Sequence, residues 1–500
     1  MRHLGAKAGQ FLLGAAVLSL VSWAGPAGAQ PRTRSPEAEQ IQIIGLQGTV
    51  EIMQAGATRW MRTTTTNRLY PSDRLRTGEN SRVTLLWSDR SVVPFGPLTE
   101  IEILPPPDRD ALSGLHVIKG ILSFLHRDRP GRIRVITRGA VAAVEGTEFV
   151  LAVDSPDSQE RTTLSVIDGR VQFSNDQGTL TLTNSQQAVA EPGKAPVRTA
   201  GFIVNHILQW CLYYPAVLDL EELRLSADEE QALNESLTAY RAGDLLQALA
   251  QYPPARQPAS DAEKVYYAAL LLSVGQAQQA EAALAALGSS SRSELVERLA
   301  LSLRTLIAAV KRQPKPNTLN PQLSTEFLAA SYYEQSRAAG DESLRAALNL
   351  ARQAAARSPQ FGFAWERVAE LEFGFGHTRA ALEALDRSLQ LAPRNAQALA
   401  LKGFLLAADN RPHQAEGWFD RAIAVDSALA NAWLGRGLCR MRRGDSAGGV
   451  EDLMVAAALE PQRALLRSYL GKAYTAVDEY HLASKELKLA INLDPKDPTA

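Results

Sequence analysis

Between residues 362 and 497 the chain repeats itself every 34 residues. Pro393, Pro461 and Pro495 fall in one slot of that grid, with Ser427 in the remaining place. Trp365, Leu399, Trp433 and Arg467 share a second slot, and Ala369, Gly403, Gly437 and Gly471 a third. Ala381, Ala415, Gly449 and Ala483 share a fourth, and Leu385, Phe419, Leu453 and Leu487 a fifth. A unit of this length cannot bury its apolar side alone, so neighbouring units must stack into one continuous core. The spacing within each unit is that of two antiparallel helices. A small residue lets their backbones approach, a large one fills the adjacent groove, and proline stops the second helix. Four units are predicted, 362–395, 396–429, 430–463 and 464–497. Arg467 departs at the tryptophan slot, and Gly449 weakens its helix by ~1 kcal/mol against alanine.

These slots resemble the tetratricopeptide (TPR) repeat. The resemblance implies an all-α superhelix over 323–500, with irregular helix pairs of the same kind at 227–312. There ESLTAYRAGDLLQALA (235–250) and VYYAALLLSVGQAQQAEAAL (265–284) place Gly243 and Gly275 near equivalent turns. In that family first helices line a concave face that captures peptides. The peptide-binding positions so implied are Phe373, Phe404, Leu434, Leu438, Met441 and Lys472, with an amphipathic helix or an extended apolar peptide as guest. The competing reading packs Phe404 and Leu438 within the array. The Lys/Asn clamp that some members use for a C-terminal carboxylate is missing. The chain stops where a polar capping helix is expected; either the natural chain is longer, with a further C-terminal module, which is the favoured expectation, or the last unit exposes its apolar edge.

From 41 to 190 the apolar period changes to two, the pattern of strands. TVEI (49–52), RVTLLW (82–87) and IRVIT (133–137) alternate. In VAAVEGTEFVLAV (141–153), Val144 and Phe149 are an odd number of residues apart. Both can face one core only if the strand slips by one residue, so Gly146-Thr147 predicts a β-bulge. In TLSVIDGRVQF (163–173), Asp168-Gly169 predicts a two-residue hairpin turn pairing Val166 with Val171 and Leu164 with Phe173.

DRLRTG (73–78), SRVTLLWSDRS (81–91), GILSF (120–124), AVEGTEFVLAV (143–153) and LSVIDGRVQF (164–173) together resemble a FecR-type domain. That domain is the periplasmic part of regulators that control sigma factors in iron uptake. The resemblance covers about 45–190 and implies a solenoid-like stack of short strands. Those regulators place a cytoplasmic segment and a membrane helix before the domain.

Here a different segment comes first. Arg2, His3 and Lys7 precede an apolar run from Phe11 to Gly25, too short to span a bilayer comfortably, and Ala27-Gly28-Ala29 is an A-x-A cleavage site. Residues 1–29 therefore read as a signal peptide, and the chain as exported, periplasmic or outer-membrane associated. No later segment is expected to span a membrane. Residues 191–226 read as a linker followed by a docking helix at 202–218. The two cysteines, Cys211 and Cys439, show no metal-ligand spacing.

Charge and motifs narrow the function further. A formal charge of −1 with 21% charged residues argues against a nucleic-acid partner. GDSAG (444–448) matches the G-x-S-x-G nucleophile elbow but lies between two helices, where Ser446 reads as a helix N-cap. No catalytic, metal or cofactor site is expected. Arg132, Arg134 and Arg138 share one strand face; they read as a solvated face or as an anion-binding strip for an acidic polysaccharide or lipid headgroup. The expected function is a non-enzymatic envelope scaffold with protein partners on both regions. The alternatives are an envelope sensor and the non-catalytic part of a longer protein.

Overall fold

A computed structural model describes residues 41–500 apart from 80, 88–90, 107–113, 126–133, 155–159, 184–185, 200–215, 254–255, 289–292, 312, 315, 317–319, 338–340, 496 and 498–500. The signal peptide, the greater part of the docking helix, Cys211 and Arg132 lie outside the described residues, as do the side chains of Thr147 and Asp168. The chain is multidomain: an all-β region is followed by an all-α region.

The β region holds fifteen strands among the described residues. They are β1 (Ile41–Gln47), β2 (Val50–Met53), β3 (Met61–Arg62), β4 (Arg68–Leu69), β5 (Arg74–Thr77), β6 (Arg82–Leu86), β7 (Val92–Phe95) and β8 (Glu100–Leu104). Then come β9 (Gly114–Leu125), β10 (Arg134–Ile136), β11 (Val141–Asp154), β12 (Arg161–Asn175), β13 (Gly178–Thr183), β14 (Gln186–Ala190) and β15 (Val197–Thr199). Pairing is antiparallel except between β9 and β10. Alternate residues enter one core that includes Ile43, Leu75, Phe95, Phe124 and Phe149. On the outer face, Glu51, Arg76, Glu100 and Lys119 lie side by side across β2, β5, β8 and β9. Opposite charges in cross-strand register favour this alignment over a slipped one.

The odd spacing in β11 is resolved by a bulge. Glu145 pairs with Arg170 and Glu148 with Asp168, so Gly146 and Thr147 together face a single residue of β12. The next pair is Phe149 with Val166, which leaves one extra residue on β12 and restores the register. Ala142 and Phe149, an odd number apart, accordingly lie in the same core.

The hairpin expected at Asp168-Gly169 is corrected. β12 runs unbroken through both residues, with Gly169 at φ +96°. Val166 and Val171 pair with Phe149 and Val144 of β11, not with each other. A left-handed glycine serves a bulge as well as a turn, and long-range pairing with β11, β13 and β14 decides between them. The chain reverses instead at Asp176-Gln177, between β12 and β13.

Sixteen helices follow among the described residues. The irregular part contains α1 (Ala227–Ala232), α2 (Asn234–Arg241), α3 (Leu245–Ala250), α4 (Asp261–Ser273), α5 (Ala277–Ala285), α6 (Glu294–Lys311), α7 (Ser324–Ser336) and α8 (Asp341–Arg357). The regular part is α9 (Gly362–Gly374), α10 (Thr378–Leu391), α11 (Ala396–Ala408), α12 (Pro412–Val425), α13 (Ala430–Arg442), α14 (Ser446–Leu459), α15 (Ala464–Ala476) and α16 (Tyr480–Leu493). Its first helices begin at Gly362, Ala396, Ala430 and Ala464, on the grid read from the sequence. Each pair turns through one left-handed residue, Gly376, Asn410, Gly444 or Asp478, the residue types that tolerate that conformation. The described helical residues up to Asp452 form one compact unit; the β region and the described residues from Leu453 on form a second.

Candidate functional site

In the first unit, the inner positions of α9 and α11 are filled by the chain itself. Phe373 is 7% exposed and Phe404 3%. Phe404 meets Phe419 of α12 edge to face, with ring centroids 4.9 Å apart. Phe363, at the start of α9, packs against Tyr240 of α2 at 5.7 Å. The segment after Tyr240 then seals against the start of α11. Arg394 donates its backbone N–H to the Ala242 carbonyl at 2.8 Å, and its guanidinium meets Asp244 at 2.7 Å. Gly243 is left-handed here, and a Cβ on it would stand 2.6 Å from the Asn395 nitrogen.

For Phe404 this is the competing reading, packing within the array, rather than an open apolar groove. Phe373, Phe404 and Leu434, the last fully buried, are core residues. Their slot faces inward, but a segment some 150 residues earlier in the chain closes against the same helices. Leu438 and Met441 on α13 remain half-buried. Lys472 on α15, in the second unit, is also half-buried, with its ammonium 5.9 Å from the centre of the Tyr469 ring.

Among the described inner positions, Glu366 on α9 is the buried carboxyl with the largest upward displacement. Burial first, and the Glu370 carboxylate second, push it up to about 8, against the pull of Arg367 and a hydrogen bond with Tyr332. Arg367 is itself buried. Its guanidinium lies over the Tyr332 ring at 4.0 Å, donates to Ser331 Oγ at 3.1 Å and pairs with Glu370 at 2.7 Å.

Residues 216–223 are held beside α7. Val217 and Leu218 are fully buried, and Leu220 and Leu223 nearly so. The Tyr240 hydroxyl donates to the Leu218 carbonyl at 2.9 Å. The Glu222 carboxylate accepts the backbone N–H groups of Ser324 at 2.6 Å and Thr325 at 3.0 Å.

In the second unit, Arg467 carries a guanidinium into the tryptophan slot. Trp365 and Trp433 each donate the indole N–H to the carbonyl six residues earlier, Pro359 and Ser427. Arg467 Nε does the same to Pro461 at 2.9 Å. Its remaining nitrogens reach two carboxylates, Glu148 of β11 at 2.6 Å and Glu486 of α16 at 3.4 Å. Glu148 follows the bulge at Gly146-Thr147. Neither carboxylate was singled out from the sequence, although Glu148 directly before the apolar run FVLAV was visible there, as was Arg467 in an aromatic slot.

Arg134 is exposed on β10, and Arg138 is exposed in the turn after it, with Val135 and Thr137 buried between them. GDSAG occupies the turn between α13 and α14 rather than a strand-to-helix elbow. Asp445, not Ser446, caps α14, accepting the Gly448 N–H at 3.0 Å. Among the described residues, no group of three or more His, Cys, Asp or Glu side chains is placed to hold a metal, and no helix is long and apolar enough to cross a membrane.

Residues 73–172 match the family model described as FecR protein. A curated relative, anaphase-promoting complex subunit 3 of Schizosaccharomyces pombe, is 28% identical over 120 residues, 24% of this chain. The chain spans 18% of that relative's length. Among solved structures, the TPR protein TTC0263 of Thermus thermophilus is similar at 22% identity, covering 35% of this chain and 93% of that one, with a TM-score of 0.31. MamA of Desulfovibrio magneticus RS-1 covers 35% and 97% at 19% identity and a TM-score of 0.28. A putative anti-sigma factor from Parabacteroides distasonis covers 29% and 67% at 18% identity and a TM-score of 0.24. The chain thus carries a segment that matches the FecR family model, followed by helix pairs that begin every 34 residues.

Proposed function

We propose that this chain is a non-catalytic interaction protein of the bacterial cell envelope, exported by its leader and holding a protein partner on the helical array. The observation that carries the reading is the half-buried pair Leu438 and Met441 on α13, a helix that packs beside α11, where Phe404 is already buried by the chain itself. An apolar side chain docking there removes surface that water still reaches, worth ~25 cal/mol per Å². The FecR segment offers a second contact through Arg134, Arg138 and Arg132, suited to an acidic polysaccharide or lipid headgroup.

A photo-crosslinking residue at 438 or 441 in the full chain, expressed in a bacterium with an envelope, tests the array. A discrete adduct from the probe at 441 that is lost in Leu438→Asp is the expected result; the same adduct with and without that substitution would overturn the assignment. Mass spectrometry of the mature chain should place its N-terminus at Gln30. The FecR match also favours a regulatory reading, in which the chain relays an envelope signal. That version requires co-purification with an inner-membrane transducer, and recovery in the outer-membrane fraction alone would exclude it.

A further inference from the structure

The helix α7 is capped only in part from within: its own Glu326 accepts the backbone N–H groups of Gln322 at 2.7 Å and Leu323 at 3.0 Å. Its N-cap position is Leu323, which carries no oxygen to accept the first backbone N–H groups. Those groups at Ser324 and Thr325 are satisfied by Glu222, 102 and 103 residues away in sequence. A carboxylate at a helix N-terminus meets both the unpaired donors and the positive end of the helix dipole.

Glu222 does not arrive alone. It belongs to a short run, Ala-Val-Leu-Asp-Leu-Glu-Glu-Leu at 216–223, that is irregular up to Asp219 and forms one 3-10 turn at Leu220–Glu222. The run behaves as a ligand would. Val217 and Leu218 are buried. The run's main chain is recognised from outside, by the Tyr240 hydroxyl at Leu218 and by Thr325 Oγ1, which accepts the Asp219 N–H at 2.9 Å. Apolar anchors, main-chain hydrogen bonds and carboxylate capture all recur in peptide recognition by protein surfaces.

We propose that residues 216–223 are an intramolecular ligand, and that the cleft between α2 and the start of α7 is a binding site for peptides carrying two aliphatic residues followed by Asp-Leu-Glu-Glu. The proposal rests on the array being a peptide-holding device, and names the peptide chemistry it accepts. Because the occupant is tethered, its effective concentration is of millimolar order, so a free competitor must be abundant or must meet a weakened strap.

The test uses the full chain and a synthetic peptide with the sequence of residues 214–224, fluorescently labelled. The control peptide carries Leu218→Asp and Glu222→Gln. In a chain whose own strap is weakened by Leu218→Ala and Glu222→Gln, the native peptide should bind at least tenfold more tightly than to the unaltered chain, and tenfold more tightly than the control peptide does. Equal affinity for the two peptides, or no binding to a variant with unchanged helical circular dichroism, overturns the proposal.

A second measurement covers the case in which that variant does not fold. Excess native peptide added to the unaltered chain should speed amide hydrogen exchange across 216–222, and the control peptide should not. Exchange unaffected by either peptide at millimolar concentration also overturns it. Crosslinking at 438 and 441 is a separate experiment, so loss of the strap site would leave the wider interaction reading standing.

Discussion

Arg467 Nη2 lies 2.6 Å from both carboxylate oxygens of Glu148, a residue 319 positions earlier in the chain. Each side chain is 1% exposed. The pair joins a bulged strand of the FecR segment to the first helix of the last repeat, both within the second unit.

Breaking this pair from one side is expected to be costly. Arg467→Ala leaves Glu148 and Glu486 without their common cation, and uncompensated buried charge costs about 3–5 kcal/mol. Replacing all three together by apolar residues of similar volume, E148M/R467L/E486M, should recover stability to the original level or above it. Urea unfolding of the single and triple variants checks this; a triple variant as weak as the single one would show that shape, not charge, governs the site.

Two glycines of one conformation should respond differently to alanine. Gly376 is left-handed with open space around its missing Cβ. Gly376→Ala should therefore cost only the backbone strain, about 1–2 kcal/mol. Gly243 has the same handedness but would drive its Cβ into the Asn395 backbone. Gly243→Ala should lose clearly more, because α2 and α11 must separate. Equal losses in denaturant unfolding would remove the close approach as a stabilising contact.

Glu366 predicts a pH dependence. Its carboxyl titrates near 8 when folded, against an ordinary value of 4.5. Below 4.5 both states hold the proton. Between 4.5 and 8 the unfolded chain releases it while the folded chain keeps it, so stability falls by up to about 1.4 kcal/mol per pH unit. Above 8 the decline ends. Measured from pH 5 to 8, the unmodified chain should lose stability relative to Glu366→Gln, and a constant difference would contradict the burial argument.

Phe404 was a candidate peptide contact by its slot. Its burial against Phe419 instead predicts that Phe404→Ala costs about 3–5 kcal/mol of stability. A variant of unchanged melting temperature would return Phe404 to the surface.

The repeat register was legible because it is written locally. Helical spacing, a small residue at the crossing and a left-handed turn residue every 34 positions depend on neighbours within one unit. The bulge at Gly146-Thr147 was legible for a similar reason, since parity along one strand requires it. The partner of β12 was not. Asp168-Gly169 fits a turn and a bulge equally, and β11, β13 and β14 settle the choice from elsewhere in the chain. The contacts of Tyr240 to Asp244 with the starts of α9 and α11 left no periodic trace, because they join segments about 150 residues apart. Arg467 did leave one: an irregular residue in a regular slot marks a partner outside the repeat.

The distance in sequence between Glu148 and Arg467 also sets an order of events. A ribosome adding roughly 5–20 residues per second needs about 15–60 s to travel from the first to the second. Throughout that interval the nascent strand carries an acid whose partner in the last repeat has yet to be synthesised. This one contact of the sheet therefore closes only after the last helices are made.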